Sequence, residues 1–261
     1  MTTSFTSFKK SALPSILFIG EPGTGKTATA AMIGKPLVVD LDNNIAGAFQ
    51  YLQSINAPCK AEVIVPHIDD DGELIPRGKR WKAMNDAIVI ALKAAKEAKT
   101  PFTTLVVDSA SSLIEIMLDE VRLQAKRKIG DLLKGIPDDP LQIQDWGLFK
   151  GLFREWVLRL KSQGLVLILT AHMNVEKDEL SGIQMFFVNI PGQFRNEIAG
   201  LFSECWIATV AEEKKDAKVS YKYEIRTRPG PGQKALGLKS GIQLDARTPV
   251  DYETLNKRIF Q

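Results

Sequence analysis

Cysteine is scarce in this chain: Cys59 and Cys205 are the only two in 261 residues. Two thiols build no disulfide framework and match no metal-ligand spacing, which suits a reducing compartment and leaves both as ordinary packed residues. Long apolar runs are missing as well. None approaches the roughly 20 residues that a membrane helix needs, and the Ser/Thr-rich start, Met1 to Lys10, carries no apolar signal core. A protein that is neither exported nor membrane-spanning, working in the cytoplasm, is expected. An excess of one charge is also lacking. The net charge of +3 is too small to argue for nucleic acid by itself, so any such contact must come from a local basic surface. Linkers, internal repeats and low-complexity segments are absent too. With 44% hydrophobic and 25% charged residues, the chain is expected to fold as one α/β domain over residues 15–261 behind a polar tail, 1–14.

Against these absences stands one dense motif. Gly20-Glu21-Pro22-Gly23-Thr24-Gly25-Lys26-Thr27 follows the apolar run Ile16 to Ile19 and precedes the helix-compatible stretch from Ala28 to Ile33. Glycines at these positions let successive backbone N–H groups turn inward around phosphate oxygens, and the next helix adds the positive end of its dipole. Lys26 then reaches the β and γ phosphates, and Thr27 holds magnesium. The whole loop, with Ala28 behind it, reads as a nucleoside-triphosphate site.

Further buried-strand runs occur at Leu37 to Leu41, Glu62 to Val65, Leu105 to Val107 and Leu165 to Leu169. Between them lie helical stripes, Trp81-Met84-Ile88-Ala91-Leu92-Ala95-Ala98 and Trp146-Phe149-Phe153-Trp156-Leu160. Strands alternating with helices predict a mostly parallel sheet covered on both faces. The second, aromatic stripe has the spacing of a helix docked on a sheet rather than of a base-stacking platform. Beyond Cys205 the texture changes. Trp206 to Val210 and Val219 to Arg228 read as antiparallel strands joined by a charged turn, Glu212 to Lys218. Pro66 to Arg80, containing Asp69-Asp70-Asp71-Gly72, reads as a surface loop or small hairpin rather than a metal site.

A phosphate loop needs a second acid beside magnesium. Asp108, ending the strand Thr104 to Val107, supplies it, although Asp and Ser at that place also suit a helix N-cap. Asp40 and Asp42 both end the second strand, at the edge where open α/β sheets bind ligands. Asp42 lies further out and is the candidate for orienting water, with helix capping as the competing role for either residue. His172, just beyond the strand Leu165 to Leu169, is a candidate sensor of the γ phosphate. A basic cluster, Arg122, Lys126, Arg127, Lys128 and Lys134, suits phosphate contacts or equally a solvated helix end.

In this order the motifs resemble a RecA-like P-loop ATPase, and specifically the core-only, single-strand annealing recombinases of phages of the Sak-four type. The resemblance runs roughly from Ser15 to Gly241. It rests on the loop, Asp108-Ser109, Asp145-Trp146-Gly147, Leu169-Thr170-Ala171-His172, Ile190-Pro191-Gly192-Gln193 and Ile225-Arg226-Thr227-Arg228-Pro229. It implies ATP and Mg2+ as cofactors, single-stranded DNA as partner, and a filament or ring with ATP between neighbouring subunits. A single-strand-binding protein is a further implied partner. It also implies that His172 contacts the γ phosphate, that Met173 to Ile190 and Leu133 to Gln144 lie at the DNA, and that Lys239 serves a neighbour's nucleotide. Arg195 joins the candidate DNA contacts. This chain has Asp42 where such proteins often carry glutamate, and Lys239 where arginine is frequent. Two other readings compete: an AAA-type remodelling or loader ATPase, against which Asp108-Ser109 and the lack of a C-terminal helical lid count, and a nucleotide-gated DNA-binding switch with negligible hydrolysis.

Overall fold

The computed structural model describes residues 13–215, 218–230, 233–235 and 237–261. The tail expected at residues 1–14 therefore lies almost wholly outside the described residues. The first five strands run parallel: β1 (Ser15–Gly20), β2 (Pro36–Asp40), β3 (Glu62–Ile64), β4 (Thr104–Asp108) and the first half of β5 (Val166–Lys177). The strand Glu204–Lys215 pairs parallel with the other side of β1. Every residue of β1, β2 and β4 is buried. Strands covered on both faces lose the apolar/polar alternation and read as continuous apolar runs.

Successive side chains still point to opposite faces. Leu17, Ile19, Leu105, Val107, Leu167 and Leu169 enter one core, while Ile16, Phe18, Val106, Val166 and Ile168 enter a second. Seven helices are described: α1 (Lys26–Ala31), α2 (Ile45–Ser54), α3 (Arg77–Glu97), α4 (Ala110–Gln124), α5 (Ile143–Lys161), α6 (Phe194–Glu197) and α7 (Tyr252–Phe260). Helices α3, α4 and α5 cover the first core, and α1, α2 and α7 the second. The aromatic stripe of α5 packs as its periodicity predicts. Phe149 and Phe153 are fully buried and meet Phe194 edge-on, with centroids at 5.4 and 5.1 Å.

The remaining strands are β6 (Gln184–Val188), β7 (Glu204–Lys215), β8 (Lys218–Arg226), β9 (Gln233–Ala235) and β10 (Arg247–Pro249). The sheet order is β10-β8-β7-β1-β5-β4-β2-β3, with β6 pairing β5 and β9 pairing β6. This is a RecA-like P-loop ATPase fold: a mostly parallel centre with the antiparallel pairs β7/β8 and β8/β10 appended. One consequence matters for the site. β5 lies between β1 and β4, so it fills the gap between the phosphate loop and Asp108.

Three segments differ from the sequence-based expectation. The strand predicted to stop at Leu169 continues to Lys177, so Thr170 to His172 lie within it. Met173 to Ile190, which the resemblance implies is a loop at the DNA, folds into an antiparallel hairpin with register Met173↔Val188 to Lys177↔Gln184. Met185 to Val188 is an apolar run, with Phe186, Phe187 and Val188 buried, but its partner stretch Asn174 to Lys177 is mostly polar and largely uncovered and does not read as a strand. The charged turn Glu212 to Lys218 is largely strand, because β7 and β8 pair out to Lys215↔Lys218. Two-stranded ribbons beyond a sheet edge are solvated on both sides and look like loops in sequence. The segment after Pro66 forms the small hairpin expected, bridged at Ile68↔Leu74, but helix begins already at Arg77.

Candidate nucleotide site

The loop from Gly20 to Thr27 takes the conformation that its glycines permit. Gly23 and Gly25 have φ of 78° and 79°, a left-handed geometry that costs glycine little and other residues more. A Cβ on Gly25 would also stand 2.9 Å from the Tyr223 ring. Glu21, Pro22 and Gly23 are exposed, Thr24 is half-buried, and Ala28 is buried in the first turn of α1. Lys26, only 7% exposed, donates from Nζ to the carbonyls of Gly20 at 3.0 Å and Glu21 at 2.8 Å. Burial pulls its ammonium below the ordinary lysine range, opposed by Asp108, Asp42 and Glu21. A cation held in this way gains most from an anion placed in the mouth of the loop.

Asp108 stands opposite. Thr27 Oγ1 donates to its Oδ2 at 2.6 Å, and Thr170 Oγ1, from the intervening strand β5, donates to its Oδ1. Desolvation raises the Asp108 pKa above the ordinary carboxylate range, and these two hydroxyls partly reverse the shift. The hydroxyl and the carboxylate are hard oxygen donors, an incomplete set for an octahedral Mg2+ whose other positions suit water and phosphate oxygens. No cluster of three or more His, Cys, Asp or Glu side chains suited to a metal occurs among the described residues. The Thr27 hydroxyl and Asp108 carboxylate fit magnesium carried in with a triphosphate. Thr170 belongs to the Leu169 to His172 motif, but the sequence reading gave it no role at Asp108.

The two carboxylates after β2 divide their roles. Asp40 is buried and caps the start of α2, accepting from Ile45 N at 3.0 Å and Asp42 N at 3.2 Å. Asp42 is half-buried and free of that duty, and its Oδ1 accepts from Ser112 Oγ. His172 pairs with Gly20, the first residue of the loop, across β1 and β5. Its Nδ1 is buried without a hydrogen-bond partner among the described residues.

On the side of the loop marked by Gly25, Ala28 and Thr29 opens a pocket of about 230 Å3, closed by Met32, Tyr51, Tyr223 and Pro249. The Tyr51 and Tyr223 rings meet edge-on at 5.3 Å. Apolar and aromatic walls beside the residue that follows the phosphate loop suit the nucleoside. Nothing local in the sequence marks these tyrosines, because α2 and β8 supply them from distant positions.

Lys239 is not brought to its own loop. Its backbone pairs with Cys205, level with Leu17 on β1, and its side chain lies near Lys161. The basic cluster is largely neutralised. Arg122 donates to Asp119 at 3.0 Å, Arg127 to Asp145 at 2.5 Å, and Lys134 pairs with Asp131 at 2.9 Å. Arg195 binds Glu176 at 2.5 Å and lies 4.3 Å above the Phe187 ring. Only Lys126 and Lys128 of the set have exposed side chains without an ion pair among the described residues. Arg77, unmarked in sequence, organises this region with two forks, 2.8 and 2.6 Å to Asp119 and 3.0 and 2.9 Å to Asp138. Asp138 also accepts from Gly130 N at 2.7 Å. The segment Leu133 to Gln144 is thus anchored.

No curated protein matches the chain. Among solved structures, the flagellar accessory protein FlaH from Methanocaldococcus jannaschii is similar over 94% of this chain and 91% of that one, at 11% identity and a TM-score of 0.39. No helix of the described residues is long and apolar enough to cross a membrane. The family profile described as AAA domain matches residues 13–247, which span the loop, Asp42, Asp108, Thr170 and His172. The Asp108-Ser109 ending, which in sequence argues against AAA proteins, does not prevent that match. The chain belongs to the AAA domain family of P-loop ATPases.

Proposed function

We propose that this ATPase is a single-stranded-DNA-binding recombinase or annealing protein whose nucleotide governs assembly on the strand. Bound ATP with Mg2+ would supply the cleavable γ phosphate and the charge that draws Lys26, Thr27 and Asp108 together. Asp42, relieved of capping by Asp40, would orient the attacking water, and Tyr51 with Tyr223 would hold the base.

The observation that carries the nucleic-acid reading is the continuity of β5. His172 faces the loop from the same strand that runs on into the hairpin ending near Leu180. A change at the nucleotide is therefore covalently continuous with a projecting segment. Leu180 and, in the other expected contact segment, Leu133 are fully exposed, as tips that meet a partner often are. Phosphates would be met by Arg226, Arg228 and Arg247, none of which forms an ion pair among the described residues, rather than by the neutralised cluster from Arg122 to Lys134. Arg226 and Arg247 are direct cross-strand partners, and like charges so placed destabilise a sheet. An anion between them relieves that cost. In an assembly the same arginines, or Lys239, would serve a neighbour's nucleotide.

The test is ATP-dependent assembly on a single-stranded oligonucleotide, followed by electron microscopy. Lys26→Ala is expected to abolish it, and unchanged assembly would sink the proposal. The AAA family description favours a second reading, a remodelling or loader ATPase. ATP-dependent rings that form equally well without DNA would favour that alternative.

A further inference from the structure

We propose that Ser112 is the residue that aims Asp42, so that the rigid unit β4–α4 sets both carboxylates of the site. This rests on the hydrolytic reading of Asp42 given above. Asp42 has a single side-chain partner among the described residues, the Ser112 hydroxyl, which donates to Oδ1 and leaves Oδ2 for water. Its neighbour Leu41 is tied by backbone N–H to the Asp108 carbonyl at 2.6 Å. Ser112, the third residue of α4, turns its hydroxyl to Asp42.

The arrangement has a mechanical meaning. Asp108 ends β4 and Ser112 lies in the first turn of α4, so one element fixes the magnesium-side carboxylate and the orientation of the water-side carboxylate together. Ser112 also lines a cleft of about 410 Å3 with Leu41, His67, Arg80 and Glu115. An aspartate is one methylene shorter than glutamate and reaches less far, so its direction matters more. Loss of the hydroxyl frees a carboxylate whose misplacement by about 1 Å costs up to ~100-fold in rate.

Steady-state ATP hydrolysis with Mg2+ tests this on the full chain. Ser112→Ala is expected to lower kcat about tenfold with KM for ATP within about twofold, and Ser112→Thr to restore most of the loss. Alanine is the better helix former, so the thermal midpoint should not fall. In an Asp42→Asn background Ser112→Ala should cost nothing more, because no carboxylate remains to be aimed. Wild-type turnover by Ser112→Ala, or an equal loss in both backgrounds, overturns the role of Ser112 alone. Wild-type turnover by Asp42→Asn overturns the hydrolytic reading of Asp42 and this inference with it.

Discussion

Asp108 illustrates the tension between stability and function at a single residue. It is 4% exposed and its pKa is raised by burial. The folded state therefore holds its proton more tightly than the unfolded chain does, and stability falls as pH rises from the ordinary aspartate range into the raised one. Asp108→Asn should accordingly raise the thermal midpoint of the nucleotide-free protein at pH 7, with the advantage closing at acid pH. The same change should abolish Mg2+-dependent hydrolysis. A lower midpoint at neutral pH would show that the bonds from Thr27 and Thr170 outweigh desolvation. Gly25→Ala makes a second test, since the new methyl group meets both a positive φ and the Tyr223 ring. Titration with a fluorescent ATP analogue should show binding lost while the circular dichroism spectrum is kept. The cysteines separate by burial: the Cys205 thiol is pushed up to about 12, whereas Cys59 is exposed. Native protein at pH 8 should titrate one thiol with a chromogenic disulfide reagent, and two after denaturation.

At the scale of elements, the ion pairs around α3, α4 and α5 are better read as struts than as a DNA surface. Arg127 binds Asp145, whose Oδ2 also accepts from Gln142 N at 2.7 Å in the capping box of α5. Asp145 is only 3% exposed, and removing one partner of a buried pair leaves the other uncompensated. Arg127→Gln is expected to lower the urea unfolding midpoint without changing the salt dependence of oligonucleotide binding. The reverse pattern, an unchanged midpoint with weakened binding, would restore the nucleic-acid role to this cluster. The helices and parallel strands of this half were legible because apolar spacing reports directly on burial. The β5/β6 hairpin was not legible. Pairing across Met173 to Val188 depends on a neighbour that local pattern does not name, and Glu176 and Lys177 in it look like loop residues. The partners of Arg77 lie at Asp119 and Asp138, a separation no helical or strand period connects.

At the scale of the whole molecule, the appended strands decide where charge is left over. Replacing Arg226, Arg228 and Arg247 together with glutamine should weaken single-stranded DNA binding. It should also reduce the slope of log affinity against log salt by roughly 2, at about 0.7 per phosphate contact. An unchanged slope would move the phosphate path elsewhere. The sequence by itself determined the phosphate loop, the aspartate that ends β4, the parallel centre and the antiparallel C-terminal texture. Each of these is written in contiguous residues, where glycine spacing and apolar runs act locally. Tertiary structure alone decided that Asp40 caps α2 while Asp42 meets Ser112, that Thr170 bridges to Asp108, and that Tyr51 and Tyr223 share a pocket. It also decided that most of the basic cluster is already paired. Those outcomes turn on which strand lies between which others and on which charges meet across the fold, and residues far apart in sequence settle them only when the sheet closes.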